Sequence, residues 1–192
     1  MANENNTPER VLELARGELG AASGDKYIRY YNGITGIGLP YGVAWCAAWV
    51  TWVMRHAGVP VDSVLNYKGC ATASDWFEAR GRFRSRKSGY VPKPGDIIMY
   101  EWNPEDEGTP YDDGDDHTGI VEYVEDGIVH TIEGNNGGQC RRDWWSLSNS
   151  YISGYCVPLY NMESKKEEPD LTEAEARKIA QGAVSYTHLR AH

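Results

Sequence analysis

The chain has 192 residues, 41% hydrophobic and 24% charged, which suits one globular domain with a sizeable core. A net charge of −9 argues against a nucleic-acid partner, and no apolar run is long enough to span a bilayer, so no membrane role is expected. The four cysteines, Cys46, Cys70, Cys140 and Cys156, match no zinc spacing and are too few for a disulfide scaffold. Neither a cofactor nor a metal is expected.

The first ten residues lack the apolar core of a signal peptide. Thr7 then caps a helix with Pro8 at its first position, and Val11, Leu12, Ala15 and Leu19 recur at helical spacing. Residues 21–43, rich in glycine and tyrosine, read as a long ordered loop. A second helix follows, with Cys46 in its first turn and Gly58 and Pro60 stopping it. No charge occurs from Ala47 to Val53, so this helix should be buried nearly all round. A thiol on a helix N-terminal turn is biased towards thiolate by unpaired N–H groups and the macrodipole. A small buried hydrophobe fits Cys46 equally well at this point.

A helix near Ala71–Arg80 carries Ala73, Trp76 and Phe77 on one side. Arg80, Arg82, Arg84 and Arg86 alternate with Gly81, Phe83 and Ser85, which suggests a short edge strand with a solvated basic face. After a turn at Pro92–Asp96, residues 97–100 form a buried strand. An acidic loop runs to Asp116, and two strands, 117–124 and 128–133, flank Asp126-Gly127. A Trp144-Trp145 segment and a last strand, 152–160, complete the domain. Helices first and strands afterwards predict an α+β fold with a mostly antiparallel sheet over residues 1–160. Residues 161–170 read as a linker and 171–183 as the start of a truncated C-terminal segment. Residues 184–192 resemble a translated sequencing adapter and are set aside.

A cysteine nucleophile needs a base, and the base needs an orienting acceptor. His117 opens one strand, and Glu133 and Asn135 close the next. A two-residue Asp126-Gly127 turn would pair Glu125 with Ile128 and send His117 and Glu133 to opposite faces. A three-residue turn with Gly127 left-handed pairs Val124 with Ile128, sets His117 opposite Asn135 and Gly119 opposite Glu133, and gathers them with Val121, Val129 and Thr131 on one face. Only the second register makes a catalytic face, so the three-residue turn is expected. His56 and His130 read as surface or structural histidines, and Cys70, Cys140 and Cys156 as structural thiols.

Trp45-Cys46-Ala47-Ala48, Pro94-Gly95-Asp96-Ile97-Ile98, Asp116-His117-Thr118-Gly119-Ile120-Val121 and Glu133-Gly134-Asn135 occur in that order. Together they resemble the CHAP family, the cysteine, histidine-dependent amidohydrolases/peptidases of papain-like fold, over roughly residues 8–160. The resemblance implies a peptidoglycan hydrolase cutting an amide bond, either as N-acetylmuramoyl-L-alanine amidase or as stem or cross-bridge endopeptidase. It implies Cys46 as nucleophile, His117 as base and then acid, Glu133 orienting His117, and Asn135 supporting the imidazole or the oxyanion. Tyr41, Trp45, Trp102 and Trp144 are the aromatic residues expected to contact substrate. Relatives with a calcium loop before the cysteine carry several aspartates there, whereas Asn32–Trp45 has no acid. Asp112, Asp113, Asp115 and Asp116 offer hard oxygen ligands, but a solvated loop is the expected reading. A monomer acting on the bacterial cell wall, made without a signal peptide like a phage endolysin, is the expected setting. The rivals are a non-catalytic wall- or glycan-binding module stacking sugars on Trp45, Trp102, Trp144 and Trp145, and a neighbouring papain-like wall peptidase.

Overall fold

The computed structural model describes residues 6–105 and 114–161; the expected C-terminal segment and tail lie outside the described residues, as do nearly all of the linker and Asp112 and Asp113 of the acidic loop. Helix α1, Pro8–Gly17, starts where its signals placed it, with Thr7 Oγ1 accepting the Arg10 N–H at 3.2 Å. Its core side carries Val11, Leu12 and Ala15. Helix α2, Asp25–Thr35, stands where a loop was expected. Its propensity is weak, because aromatic and β-branched residues fill it and Gly33 interrupts it. Packing compensates. Tyr27, Ile28 and Tyr31 form one buried face, and Tyr27 stacks on Trp45 with ring centroids 5.2 Å apart. Gly36, at φ 72°, ends the helix in the left-handed region.

Helix α3, Cys46–His56, is buried continuously from Cys46 to Met54, as an uncharged helical surface requires. Helix α4, Cys70–Glu78, follows after a loop. Six strands then form one antiparallel sheet: β1 Phe83–Ser85, β2 Ile97–Tyr100, β3 His117–Glu125, β4 Ile128–Asn136, β5 Gln139–Ser146 and β6 Ile152–Cys156, in spatial order β1-β6-β2-β3-β4-β5. The α+β architecture is therefore as expected. The alternating arginines give the edge strand β1. Their guanidinium groups serve the fold: Arg82 bonds the Ser63 carbonyl at 2.6 Å, and Arg86 bonds that of Ile152 at 3.0 Å.

The helices cover one face of the sheet, where Ile97, Met99, Ile120, Ile132, Cys140 and Cys156 join their side chains in the main core. Ile98, Tyr100, Val121, Val129, Ile152 and Tyr155 form a second cluster. Central strand β2 is buried along its whole length, since both its faces are covered. Gly134 sets the distance between α3 and β4. A Cβ there would lie 2.5 Å from the Trp49 ring, so the strand reaches α3 only without a side chain.

The β3–β4 hairpin corrects the turn expected from sequence. Glu125 pairs with Ile128 across a two-residue turn, with Asp126 at φ 49° and Gly127 at φ 76°, both left-handed. His117 and Glu133 still share a face because β3 bulges. Tyr123 pairs with His130 but Val121 pairs with Thr131, so one extra residue, Glu122, is absorbed between them. Beyond it the register is the one that sets Gly119 opposite Glu133. Glu122 is buried and held by Arg16 Nε at 2.7 Å and by Arg142 Nε and Nη2 at 2.7 and 2.9 Å. Arg142, then Arg16, keep its carboxyl below the usual range despite burial. A bulge pinned by two arginines does not depend on the turn beyond it. Gly127→Val should therefore cost about 1–3 kcal/mol in denaturant unfolding through its positive φ, while leaving specific activity of the folded fraction nearly intact.

Candidate active site

Cys46 sits on the first turn of α3, whose N-cap, Trp45, makes no side-chain cap bond. The free amide end faces the thiol, and the Ala47 N–H bonds it. The Cys70 side chain lies beside Cys46, and His117 approaches from β3. Cys70, then His117 and Ala47, outweigh the opposing effect of burial and hold the Cys46 thiol well below its ordinary pKa.

His117 Nε2 donates to Glu133 Oε2 at 2.9 Å. Nδ1 is thus the nitrogen left for Cys46. Burial pulls the imidazole pKa down, yet Cys46 and Glu133 outweigh it and push it up to about 10. Glu133 is itself fully enclosed, with a 1% exposed side chain. Tyr100 Oη and Thr131 Oγ1 each donate to its Oε1 at 2.6 Å, and Asn136 Nδ2 donates to Oε2 at 2.8 Å. Burial drives its pKa up, but His117, Thr131 and Tyr100 prevail and keep it ionised. Gly119 makes room for this carboxylate, since a Cβ there would fall 2.6 Å from Glu133 Cγ.

The charge assignment has a pH signature. With thiol depressed and imidazole raised, kcat/KM should hold a broad plateau between an acid limb below the ordinary thiol range and an alkaline limb near the His117 value of about 10. Stability follows the same shifts. The His117 contribution is complete below its unfolded value of 6.5 and declines as pH rises through about 10. The Glu133 contribution is complete above 4.5 and is lost as pH falls through its lower folded value. A pH–rate profile and melts across the same range check both.

The structure thus brings Cys46, His117 and Glu133 together. Asn135, expected to support the imidazole or the oxyanion, lies on β4 just after Glu133. It adopts φ 60° and lines a hollow with Gly24, Asp25, Gly42, Val43, Ala44 and Trp45, while Asn136 makes the bond to Glu133. A bulge between Glu133 and Asn136 turns the two asparagines in different directions. Trp102 stacks 5.9 Å from the His117 ring and 5.4 Å from that of Tyr100, and remains 40% exposed. Tyr41 is exposed just before Gly42.

Two aromatic expectations need correction. Trp45 is 5% exposed, stacked on Tyr27 and packed against Gly24, so most of its indole belongs to the core and only its edge borders the hollow. Trp144 lies opposite His130, whose position along β4 turns it to the face away from Glu133. Its neighbour Trp145 is the residue that joins Tyr100, Trp102 and Tyr151, at 5.7, 6.4 and 6.5 Å. Asp115 accepts hydrogen bonds from Ser74 and Ser153, and Asp116 accepts the Trp102 N–H at 2.9 Å. Among the described residues, no cluster of three or more His, Cys, Asp or Glu side chains could hold a metal ion.

A family model described as the CHAP domain matches residues 38–135. Comparison with curated protein sequences finds no match. Among solved structures, the chain is similar to Ly7917 with the hydrolyzing product of MDP, at 20% identity and TM-score 0.47, covering 79% of this chain and 63% of that one. A second structure of Ly7917 matches at 20% identity and TM-score 0.45, covering 79% and 62%. The chain spans less than two thirds of that protein's length.

Proposed function

The chain belongs to the CHAP domain family, and on that premise we propose that it is a peptidoglycan hydrolase that cleaves an amide bond by acyl transfer through Cys46. The observation that carries this reading is the line of groups from the Cys46 thiol through the His117 imidazole to the enclosed Glu133 carboxylate. A binding module would gain nothing from a depressed thiol, a raised imidazole and a carboxylate receiving four hydrogen bonds.

In the proposed reaction the Cys46 thiolate attacks the amide carbon, and the amide end of α3 faces the oxyanion that develops. Imidazolium His117 gives its proton to the departing amine. The resulting thioester is hydrolysed by a water that His117 deprotonates. Glu133, fixed by Tyr100, Thr131 and Asn136, holds the ring so that Nδ1 faces the sulfur throughout. Asn135 and Trp102 flank this line and are assigned to the substrate. Trp102→Ala should raise KM about two- to tenfold, with a smaller change in kcat, if its ring stacks on the substrate. Steady-state kinetics on soluble muropeptides separates the two constants.

Mass spectrometry of muropeptides released from purified cell walls tests the reading. New amine and carboxyl ends are expected at one amide position, and that position decides between amidase and endopeptidase. Intact muropeptides after prolonged digestion would contradict it.

A further inference from the structure

Acyl transfer needs one thiol, but the site holds two. Cys70 opens α4 as Cys46 opens α3, both are free and buried in the same core, and each thiol is the neighbour that most strongly shifts the other's titration. The fold builds this meeting from two sides. Before α4, the Tyr67 N–H donates to Thr51 Oγ1 of α3 at 3.2 Å, and the Tyr67 hydroxyl lies 3.3 Å from Thr118 Oγ1, next to His117. Within α4, Ser74 bonds Asp115, and Ala71 packs so tightly on Gly114 that a Cβ there would lie 2.8 Å from its own. The N-terminus of α4 is therefore clamped both to the nucleophile helix and to the segment entering β3.

We propose that Cys70 is the resolving thiol of Cys46, so that oxidation by a hydroperoxide is captured as a Cys46–Cys70 disulfide that silences the enzyme reversibly. The proposal rests on the reading of Cys46 as a reactive thiolate. In the first step the thiolate attacks one oxygen of hydrogen peroxide; the O–O bond breaks, Cys46 becomes a sulfenic acid, oxidised by two electrons, and the departing hydroxide takes up a proton from imidazolium His117 as the first water. In the second step the Cys70 sulfur attacks the Cys46 sulfur; the S–S bond forms, the S–O bond breaks, and the leaving hydroxide takes the Cys70 proton as water. Two thiols and one peroxide thus yield one disulfide and two waters. The electrostatics favour this order. While Cys46 is an anion, its hydrogen bond, then burial and its charge, keep Cys70 protonated. Conversion of Cys46 to a neutral sulfenic acid removes that charge from beside Cys70, while burial and Asp115 still favour the thiol until the leaving hydroxide takes its proton.

The test treats the reduced full chain with hydrogen peroxide, alkylates the remaining thiols, digests without reductant and maps the peptides by mass. The expected result is a linked Cys46–Cys70 peptide that grows as lysis falls, with both reversed by dithiothreitol. In Cys70→Ser, scored against its own untreated activity, lysis should also fall, but Cys46 should proceed to sulfinic acid and dithiothreitol should not restore it. Cys140→Ser should behave as the unmodified chain does. Should Cys70→Ser fold poorly, the map of the unmodified chain decides alone. Cys46 sulfinic acid beside a free Cys70 in that map, a different partner for Cys46, or full recovery of Cys70→Ser would overturn the proposal. Persistent lysis by Cys46→Ala would remove the functional reading instead, while the linked peptide stands or falls on its mass.

Discussion

Cys46→Ala should lower wall lysis by on the order of 10⁴-fold or more, because the thioester cannot form and no other group replaces the nucleophile. Alanine suits a helix first turn, and only one small buried atom is lost, so stability should change by no more than about 1–2 kcal/mol. Turbidity clearing of cell walls and a thermal melt on the same preparation measure the two effects. Retained lysis would exclude Cys46 as nucleophile, and an unfolded variant would assign it to the core.

The second large effect lies at Glu133, where charge and packing can be separated. Glu133→Gln keeps an oxygen for Tyr100 and Thr131 but turns an amide N–H₂ towards the donors on His117 and Asn136. The fold should persist, while kcat falls on the order of 10²–10⁴-fold as the ring loses its orienting charge. Glu133→Ala leaves buried donors without an acceptor and should cost roughly 3–5 kcal/mol as well. Urea unfolding beside single-turnover kinetics separates the variants. Equal stability for the two would mean that the carboxylate's hydrogen bonds contribute little to the fold.

The sequence carried the parts of this site that repeat with a period or occupy an element end. An uncharged run fixed the burial of α3, and Cys46 followed as its first residue. The face shared by His117 and Glu133 was legible from strand alternation once a one-residue offset was allowed. Where the offset fell was not legible, because a turn and a bulge shift register equally, and the bulge depends on Arg16 and Arg142, distant in sequence from Glu122. The same limit explains the asparagines. A second bulge after Glu133 passes the carboxylate contact to Asn136 and leaves Asn135 on the hollow beside Trp45. Trp144 and Trp145 differ only by strand parity, which needs the β4–β5 register to assign. Helix α2 is not legible in the sequence because its stability comes from Tyr27 against Trp45 and Trp52 rather than from its own propensity. Tyr100 was out of reach for a similar reason, since its place beside His117 comes from the β2–β3 pairing.

The central claim is that Cys46 is an activated thiolate paired with His117. The most direct measurement is the pH dependence of its alkylation by iodoacetamide, with the modified residue identified by mass and lysis followed in parallel. Selective labelling of Cys46 is expected, with a rate that stays high well below the ordinary thiol pKa of about 8.5 and with lysis lost in proportion to label. Labelling of Cys46 only as fast as an ordinary thiol at each pH, or lysis that survives its complete alkylation, would contradict the account.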